Sequence, residues 1–477
     1  MTEWLKEVFQ YIDLFFVLYL LGYSTFLLLS VTVGATALYE QQKKKKLYNF
    51  IDKDHYIPVS IVVPAYNEQI TVIDTVKSLL ELDYTLYEVI VVDDGSTDDM
   101  REQLIEHFQM ERVYRPIRKK ILCEEEHAMY MTYAHKIPIT LICKKNGGKA
   151  DALNMGINVA KYPYFVCMDA DSVLQADALR NLVRPILEEK NVIACGGLIR
   201  ILNNVVLEKG KVINYGLPKN KLVGMQIIEY DRTFLASRLL FDKFNGNLII
   251  SGAFGLFKKD LAIAVGGYDK QTVGEDMELV VRLHAFCKAN QIPYQIKYAT
   301  DAICWSQAPN TLKNLVKQRR RWHRGLLQSI WAHKHIFFNV RYGGVGLVSL
   351  LYFLIYELLA PYIELLGIGS MIIAIHFRLF NASFMIYFLL MYMVFGVVMS
   401  LTAFISSIYA IHKPLKAGEI LKAIGLCILE SSLLRSILFW VRLTAFVGYK
   451  KKKLEWDAIT RHEITRHESH KPYVEEM

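Results

Sequence analysis

An almost unbroken apolar run, Ile12–Tyr39, restricts the folds that this chain can adopt. A helix of ~20 apolar residues crosses the hydrocarbon core of a membrane, so this run is long enough to span it. A cleaved signal peptide is the competing interpretation, but such a peptide has a shorter apolar core that follows basic residues. Here acidic residues and a single lysine precede the run, and Lys43–Lys46 follow it. Because basic residues mark the cytoplasmic side, we expect an anchor with its N-terminus outside and Lys43 onward in the cytosol.

Three further apolar stretches occur near the C-terminus: Val345–Ile375, Phe384–Ile411 and Ala423–Val447. The first two are long enough to cross a membrane, although the first is interrupted by Glu357, Pro361 and Glu364, which either kink it or face a polar passage. Charged side chains are costly at bilayer depth, and the third stretch contains three of them: Glu430, Arg435 and Arg442. We therefore predict that the third stretch is interfacial or re-entrant, and that the chain crosses three times.

The charge distribution argues against a nucleic-acid binder. The formal net charge is +9, but the basic clusters Lys43–Lys46 and Lys450–Lys453 flank apolar segments, which is typical of membrane borders. No nucleic-acid-reading motif is present. The seven cysteines show no C-x-x-C spacing, so they indicate neither a zinc nor a redox site.

Between the apolar ends, short strands alternate with helical stretches. Val59–Pro64, Glu88–Asp93 and Tyr164–Met168 are β-branched or aromatic runs that end at polar turns, while Ile70–Leu82 and Ala150–Ala160 read as helices. Strands that alternate with helices predict an α/β fold with a mostly parallel sheet, whose ligands bind at the carboxyl ends of the strands. The segment Arg112–Ile137 has no clean period and is predicted to be a surface insertion.

Two polar clusters directly follow predicted strands. The first is Val62–Glu68, and the second is Val91–Thr97, which contains Asp93 and Asp94. A carboxylate at a strand end can accept hydrogen bonds from a uracil N–H or a ribose hydroxyl. An Asp-Gly turn with a helix-capping aspartate explains the second cluster equally well.

The third cluster, Gly147–Asn154, has a glycine pair at the start of a helix. This arrangement lets backbone amides approach phosphate oxygens, and Lys149 adds a positive charge. A Walker loop requires a different spacing, and a surface turn with a helix cap is the alternative interpretation.

In the fourth cluster, Asp169 and Asp171 follow the apolar strand Tyr164–Met168. Alternate positions of an extended segment place both carboxylates on one side. Together with a diphosphate they supply the oxygen ligands that Mg²⁺ or Mn²⁺ favours, and such an ion would neutralise charge on a departing diphosphate.

The fifth cluster is Gly274-Glu275-Asp276, preceded by the glycine-rich Ser251–Gly255. Asp276 can act as a general base for a hydroxyl, or it can cap the predicted helix Met277–Ala289; both roles are compatible. Further on lies Gln318–Arg324, a basic helix close to the apolar region. We expect some of its charges to contact lipid headgroups, while Arg321 faces a diphosphate and Trp322 stacks on a sugar.

The ordered set P-A-Y-N-E, V-D-D-G-S, D-A-D, G-E-D and Q-R-R-R-W resembles the inverting family 2 glycosyltransferases with a GT-A fold, over about Pro58 to Arg324. The likeness is greatest to the membrane polysaccharide synthases for cellulose, hyaluronan, chitin and poly-N-acetylglucosamine. The resemblance implies an α/β GT-A cytosolic domain with transmembrane helices. The implied boundaries are an anchor and linker at 1–52, a catalytic domain at 53–335, membrane and interfacial helices at 336–449, and a cytosolic tail at 450–477.

The resemblance also implies roles for single residues. Asp93 and Asp94 would bind uridine in a pocket lined by Ala65, Tyr66 and Glu68. Asp169 and Asp171 would hold nucleotide and metal, with Lys149 near the diphosphate. Asp276, beside Glu275, would be the catalytic base, and Gln318, Arg321 and Trp322 would lie at the acceptor mouth. One departure is Gly274, since many relatives carry threonine at this position.

The leading hypothesis is a processive enzyme of a bacterial plasma membrane that extends a β-linked polysaccharide from a UDP-sugar. N-acetylglucosamine is the first choice of sugar, by analogy alone. Expected partners are the donor, a glycan or glycolipid acceptor, the bilayer and accessory subunits of an export system. The alternatives are a transferase that adds one sugar to a lipid, and a catalytically inactive scaffold subunit.

Overall fold

A computed structural model describes residues 2–48, 57–133, 137–377, 382–410 and 417–449. The predicted hinge at 378–381, the basic residues 412–416 and the tail from Lys450 lie outside the described residues. The strands are β1 (Val59–Ala65), β2 (Tyr87–Asp93), β3 (Glu111–Arg112), β4 (Glu126–Thr132), β5 (Ile139–Lys144), β6 (Tyr164–Met168), β7 (Ser172–Leu174), β8 (Val192–Ile201), β9 (Val205–Glu208), β10 (Lys211–Tyr215), β11 (Phe254–Lys258) and β12 (Gln295–Ser306).

The helices follow the same chain order. They are α1 (Thr2–Tyr48), α2 (Val72–Leu80), α3 (Met100–His107), α4 (Lys149–Val159), α5 (Ala178–Glu188), α6 (Lys221–Tyr230), α7 (Ser237–Asp242), α8 (Lys259–Ala264), α9 (Glu275–Ala289), α10 (Leu312–Ala332), α11 (Leu350–Tyr352), α12 (Ala360–His376), α13 (Ala382–Ala410), α14 (Ala417–Leu429) and α15 (Arg435–Leu443). Short π-helical segments occupy Asp231–Ala236, Val345–Ser349, Phe353–Leu358 and Glu430–Leu434, and 3₁₀ turns occupy Lys334–Ile336 and Val340–Tyr342.

Ten strands form one mixed sheet, and β9 and β10 form a separate antiparallel pair. The sheet order is β3-β4-β5-β2-β1-β6-β11-β8-β12-β7. Its centre, β5-β2-β1-β6, is parallel, and β11 is antiparallel to both of its neighbours. The predicted α/β class is confirmed, and the three strands and two helices expected around the first four clusters are present within two residues of their predicted ends.

Both faces of the sheet are covered. On β1, Ile61 and Val63 point into a core shared with α2, α3 and α5, whereas Val62 points into a second core with α4 and α9. This alternation explains why the strands read as continuous apolar runs, since a strand buried on both faces has no solvent-facing positions.

The segment Arg112–Ile137 differs from its prediction. It is not a surface insertion as a whole, because β4 pairs antiparallel with β5 and β3 pairs antiparallel with β4, which extends the main sheet. Most side chains of β4 are only partly buried and neither face of the strand is uniformly apolar, so its sequence carries a weak strand signal.

The long apolar helices pack against the sheet domain through the helical segment 221–242. Leu38 of α1 lies in a cluster with Leu198 of β8 and Leu235, and Gly34 approaches the backbone of Ala236 so closely that a Cβ would lie 3.2 Å from its Cα. The N-terminal helix therefore contacts the sheet domain directly.

Within the described residues, three helices are long and apolar enough to cross a membrane: Glu7–Glu40, Met385–Tyr409 and Ala417–Leu443. A fourth crossing would require the pair Val345–Leu358 and Ala360–His376, which meet at a 51° bend, to count as one span. This set differs from the predicted one, which counted Val345–Ile375 as a span and placed Ala423–Val447 at the interface. Pro361 lies in the first turn of α12, and proline readily starts a helix but cannot continue one.

Glu430 and Arg442 of the last apolar helix have partners inside the protein. Glu430 accepts from Arg232 at 2.7 Å and from Ser400 at 3.2 Å, and Arg442 lies 3.3 Å from Glu357. A charge that faces a partner in the bundle is far less costly than one that faces lipid.

Candidate active site

The sheet register brings the first two clusters together. Ala65, the last residue of β1, pairs with Asp93, the last residue of β2, and the Asp94 amide donates to the Ala65 carbonyl at 2.9 Å. Asn67 adopts a φ of 55° and accepts from the Thr97 amide at 2.8 Å through its side chain. The two loops therefore form one unit at the carboxyl edge of the sheet.

The other residues predicted to line this pocket lie in the same unit. Asp93 is buried and accepts from the Ser96 amide at 2.8 Å. Tyr66 is 49% exposed, which leaves its ring accessible to a ligand, and Glu68 accepts from the Thr71 hydroxyl at 3.0 Å. Binding of uridine by these residues remains a prediction.

Asp94 connects this unit to the third cluster. Its carboxylate accepts from the Gly147 amide at 3.0 Å, the Gly148 amide at 2.7 Å and the buried Lys144 ammonium. Gly148 has a φ of 88°, a conformation that favours glycine. The Asp94 carboxylate thus holds the glycine turn that precedes Lys149.

Lys144 is fully buried, and its ammonium lies between two carboxylates. Its second partner is Asp151 at 2.7 Å, which also lies 2.5 Å from Lys270. Burial alone would raise the pKa of Asp151, but hydrogen bonds from the two lysines outweigh it and lower that pKa. Lys144 is a residue of this network that the sequence motifs did not single out.

A cavity of about 300 Å³ brings together the remaining predicted residues. Those that line it are Lys149, Asp169, Asp171, Glu275, Asp276, Gln318, Arg321 and Trp322. The Asp94 loop lies outside this lining and joins it through Gly148 and Lys149. The predicted site therefore forms a continuous path of contacts from the strand ends to α10.

Charges at the centre of the cavity are closely paired. The Lys149 ammonium lies 2.5 Å from Asp169 and 3.5 Å from Glu275. Burial would lower the pKa of Lys149, but the carboxylates of Asp169, Glu275 and Asp276 outweigh it and raise that pKa, so the residue stays cationic. Burial also raises the pKa of Glu275, and Lys149 opposes this effect.

Asp276 is the second residue of α9, which begins after Gly274. One carboxylate oxygen accepts from the Met277 amide at 2.8 Å, and the other accepts from the Gly252 amide at 3.2 Å. The helix begins before its predicted start, with Gly274 at the N-cap position, so Asp276 does not cap it but lies in its first turn and on the cavity wall. The two bonds orient the carboxylate on both sides of its carbon.

Two arginines of helix α10 bind the end of the last apolar helix. Arg320 donates to the Thr444 hydroxyl at 3.0 Å and Arg324 donates to the Ala445 carbonyl at 3.0 Å, so both hold the end of the last apolar helix. We expected lipid headgroups as partners for part of this charge, whereas these two arginines bind protein.

Trp322 is 36% exposed and packs beside Arg319, whose guanidinium carbon lies 4.4 Å from its ring centroid. Arg319 in turn pairs with the buried Glu229 at 2.6 Å. Glu229 carried no motif in the sequence, because its role depends on a contact 90 residues away. The cavity continues past Trp322 to Tyr352, Glu357 and Arg442.

Asp169 and Asp171 are the carboxylates that the sequence predicts as cation ligands, and both line the cavity. No group of three or more histidine, cysteine, aspartate or glutamate side chains able to hold a metal occurs among the described residues. Two carboxylates that line one cavity suit a hard divalent ion whose other ligands come from a bound diphosphate.

Comparisons with known proteins agree with this geometry. Residues 60–265 match Glycosyl transferase family 2, and residues 164–412 match Glycosyl transferase family group 2. A poly-β-1,6-N-acetyl-D-glucosamine synthase of Staphylococcus epidermidis is 31% identical over 324 residues, which are 66% of this chain and 67% of that protein. The synthase of the same name from Staphylococcus aureus strain COL is 30% identical over 311 residues, 64% of each chain.

Among solved structures, a mannosyltransferase of Pyrobaculum calidifontis in complex with GDP-Man and Mn²⁺ covers 90% of this chain and 99% of its own, at 16% identity and a TM-score of 0.49. The family matches span the strand-end clusters, the cavity and the following helices. The chain therefore belongs to glycosyl transferase family 2 and is a glycosyltransferase with a GT-A fold.

Proposed function

We propose that this protein is a membrane-bound inverting glycosyltransferase that extends a β-linked polysaccharide from a UDP-sugar. One observation carries the proposal. A single cavity is lined by Asp169 and Asp171 after β6, by Asp276 at the start of α9, and by Trp322 on α10, and it reaches Glu357 and Arg442 near the apolar helices. The diphosphate-sugar end of a donor, an acceptor and an exit route can thus share one cavity.

The nucleotide would bind at the carboxyl ends of β1 and β2, beside Tyr66 and Asp93, and the diphosphate would lie over the Gly147–Gly148 turn. Backbone amides at the start of α4 and the cationic Lys149 suit a doubly charged diphosphate. Lys149 forms an ion pair with Asp169 in the structure, so donor binding would replace that ion pair with a contact between Lys149 and a phosphate.

Asp169 and Asp171 would hold a divalent cation, either Mg²⁺ or Mn²⁺. When bound, such an ion neutralises charge that develops on the leaving diphosphate. Arg321 lines the same cavity, and its charge opposes the rise that burial causes in the pKa of Glu275, so it adds a fixed positive charge near this position.

Asp276 would act as the general base. The acceptor hydroxyl oxygen forms a bond to the anomeric carbon while the bond from that carbon to the diphosphate oxygen breaks. The hydroxyl proton passes to the Asp276 carboxylate, and UDP leaves on the opposite face, so the anomeric centre inverts. The bonds from Gly252 and Met277 hold the carboxylate in position for this transfer.

N-acetylglucosamine is the proposed sugar, because the two staphylococcal relatives are named for a polymer of it. The alignments cover 64–67% of these relatives' own lengths, so the substrate and the polymer product are proposals for this chain. A processive enzyme with a cytosolic active site in a bacterial plasma membrane would release the polymer past Trp322, aided by accessory export subunits.

The experiment measures UDP release from the purified full-length protein in detergent, screened across UDP-GlcNAc, UDP-glucose, UDP-GlcA and UDP-GalNAc with Mg²⁺ or Mn²⁺. Turnover with one donor that EDTA abolishes would support the proposed donor class and cation. Product length on a gel separates a polymer from a single addition. Silence with every donor from folded protein would favour the scaffold alternative.

Replacement of the proposed base gives the first prediction. Asp276→Asn keeps the shape but cannot take a proton, so we expect kcat to fall by about 10² to 10⁴ with donor KM nearly unchanged. Asp260→Asn is the matched control, because Asp260 is an exposed aspartate in the first turn of α8. Wild-type turnover in Asp276→Asn would show that another group takes the proton.

A further inference from the structure

The residue at the N-cap position of the helix that carries Asp276 provides no side-chain cap. Gly274 precedes α9 and has no side chain to accept from the first amides. The residues before it are instead bound by Gln328, whose side-chain oxygen accepts from the Val273 amide and from the Thr272 hydroxyl, both at 2.9 Å. The Thr272 hydroxyl oxygen accepts in turn from the Gly274 amide at 3.0 Å.

Gln328 belongs to α10, and the two helices are in backbone contact at this level. A Cβ on Gly274 would lie 2.8 Å from the Cα of Gly325, and a Cβ on Gly325 would lie 2.7 Å from the Cα of Gly274. Neither position has room for a side chain, so both glycines are needed for this approach. The close approach of Gly325 is a steric reason for glycine at position 274, where many relatives carry threonine.

Further contacts extend the junction along α9. His333, which follows α10, lies 3.0 Å from the Glu278 carboxylate, and Glu278 also accepts from Arg282 at 2.9 Å. The Ser329 hydroxyl lies 3.5 Å from the Gly274 carbonyl. The start of α9 is thus held against α10 over more than one helical turn.

The same face of α10 carries Trp322. Trp322, Gly325 and Ser329 are spaced by three and four residues, so they share one face of the helix, and Gln328 lies beside them. Contacts with Gln328 therefore relate the start of α9 directly to the helix that lines the acceptor end of the cavity.

We propose that Gln328 is a positioning residue, which places Asp276 relative to Trp322 by holding Thr272 and Val273 against α10. This inference rests on the proposed role of Asp276. An error of about 1 Å in such a placement can cost about 10²-fold in rate, because the reacting atoms must lie in contact and in line. Gln328 is not one of the residues that line the cavity, so its replacement should change donor affinity little.

The test compares Gln328→Leu with Gln328→Glu in the full-length protein in detergent. The leucine removes the acceptor oxygen, whereas the glutamate retains a carbonyl-type oxygen for Val273 and Thr272. We expect kcat to fall about 10-fold or more in Gln328→Leu and to recover to within about 3-fold of wild type in Gln328→Glu, with donor KM changed less than about 2-fold in both. A general loss of structure would not separate kcat from KM in this way.

Thr272→Val provides a second variant if Gln328→Leu does not fold. It deletes one of the two bonds to Gln328 together with the acceptor of the Gly274 amide, and should lower kcat, again without a change in donor KM. Wild-type kcat in folded Gln328→Leu, or equal losses in Gln328→Leu and Gln328→Glu, would overturn the proposal. Failure of the proposed function is recognised separately, because the wild-type protein would then show no turnover with any donor. Failure of the proposed base would leave Asp276→Asn active whatever the Gln328 variants do.

Discussion

The two sides of the proposed site are held together in different ways. On the proposed nucleotide side, the Asp94 carboxylate accepts from the buried Lys144 and from the amides of the Gly147–Gly148 turn. On the acceptor side, Asp276 and Trp322 lie on two helices that contact each other at glycines and contact the apolar helices through arginines. The nucleotide side is part of the sheet core, whereas the acceptor side is an assembly of separate helices.

This difference predicts whether a substitution on each side should change stability or turnover. A buried ion network is coupled to folding, because loss of one partner leaves an unpaired charge inside the protein. A helix–helix contact can shift by a fraction of an ångström without unfolding, yet the reaction depends on that distance. Stability should therefore be most sensitive on the nucleotide side and turnover on the acceptor side.

The largest effect on stability is expected for Lys144→Met. The methionine fills the space but leaves the buried carboxylates of Asp94 and Asp151 without their shared cation. We expect the free energy of unfolding to fall by about 3–5 kcal/mol, measured by denaturant or thermal unfolding in detergent. Lys145→Met is the control, because Lys145 is the next residue in the chain and its side chain is exposed. Equal stabilities of the two variants would show that the network does not hold the nucleotide side.

A pH effect of intermediate size should come from His284 on α9. Its Nε2 lies 2.8 Å from the Asn247 carbonyl, which can only accept, so Nε2 carries the proton and Nδ1 accepts from Tyr294 at 2.8 Å. Burial lowers the pKa of His284 to about 4, partly offset by the Asn247 carbonyl. The folded protein therefore keeps a neutral imidazole where the unfolded chain, with a pKa of about 6.5, takes up a proton.

Stability from this group is present above about pH 6.5 and is lost as pH falls toward 4, by about 3 kcal/mol in total. Thermal unfolding between pH 7.5 and 4.5 measures the loss. His284→Gln should reduce the pH dependence in this window, whereas the exposed His127→Gln should leave it as in wild type. An unchanged pH dependence in His284→Gln would assign the loss to other groups.

A smaller free-energy change, concentrated in turnover, is expected for Gly325→Ala. The new methyl group would meet the Gly274 backbone and push α10 away from the start of α9, at a cost of about 1–3 kcal/mol. We expect kcat to fall about 10-fold while the unfolding temperature changes little. Gly425→Ala is the control, because a Cβ at this helical glycine meets nothing within 4 Å. A loss of stability without loss of kcat would show that substitution on the acceptor side acts on stability and not on turnover.

The sequence predicted the local parts of the site well. The ends of β1, β2 and β6 agreed with their apolar runs to within one residue, and α4 began at Lys149, directly after the glycine pair. Parallel neighbours then bring such strand ends to one edge of the sheet. The sequence therefore predicts that the polar clusters after β1, β2 and β6 lie close together.

The membrane segment and the sheet edge were predicted less well. Charges in Ala423–Val447 argued against a continuous apolar helix, but Glu430 is neutralised by Arg232, which lies 198 residues earlier in the chain. The deciding partner of Glu430 is distant in sequence, so the local pattern carried no sign of it. The strand β4 has a weak signal for another reason, because most of its side chains are only partly buried and neither of its faces is uniformly apolar.

The amino-acid sequence by itself determined the apolar helices, the α/β alternation and the order of the acidic and glycine-rich clusters, because periodicity and turn chemistry act between near neighbours. Only the tertiary structure decided which groups saturate Asp94, that Glu229 pairs with Arg319, and that Gly274 meets Gly325. These contacts join residues about 50 to 100 positions apart, and they form only when packing of the sheet and helices brings the segments together.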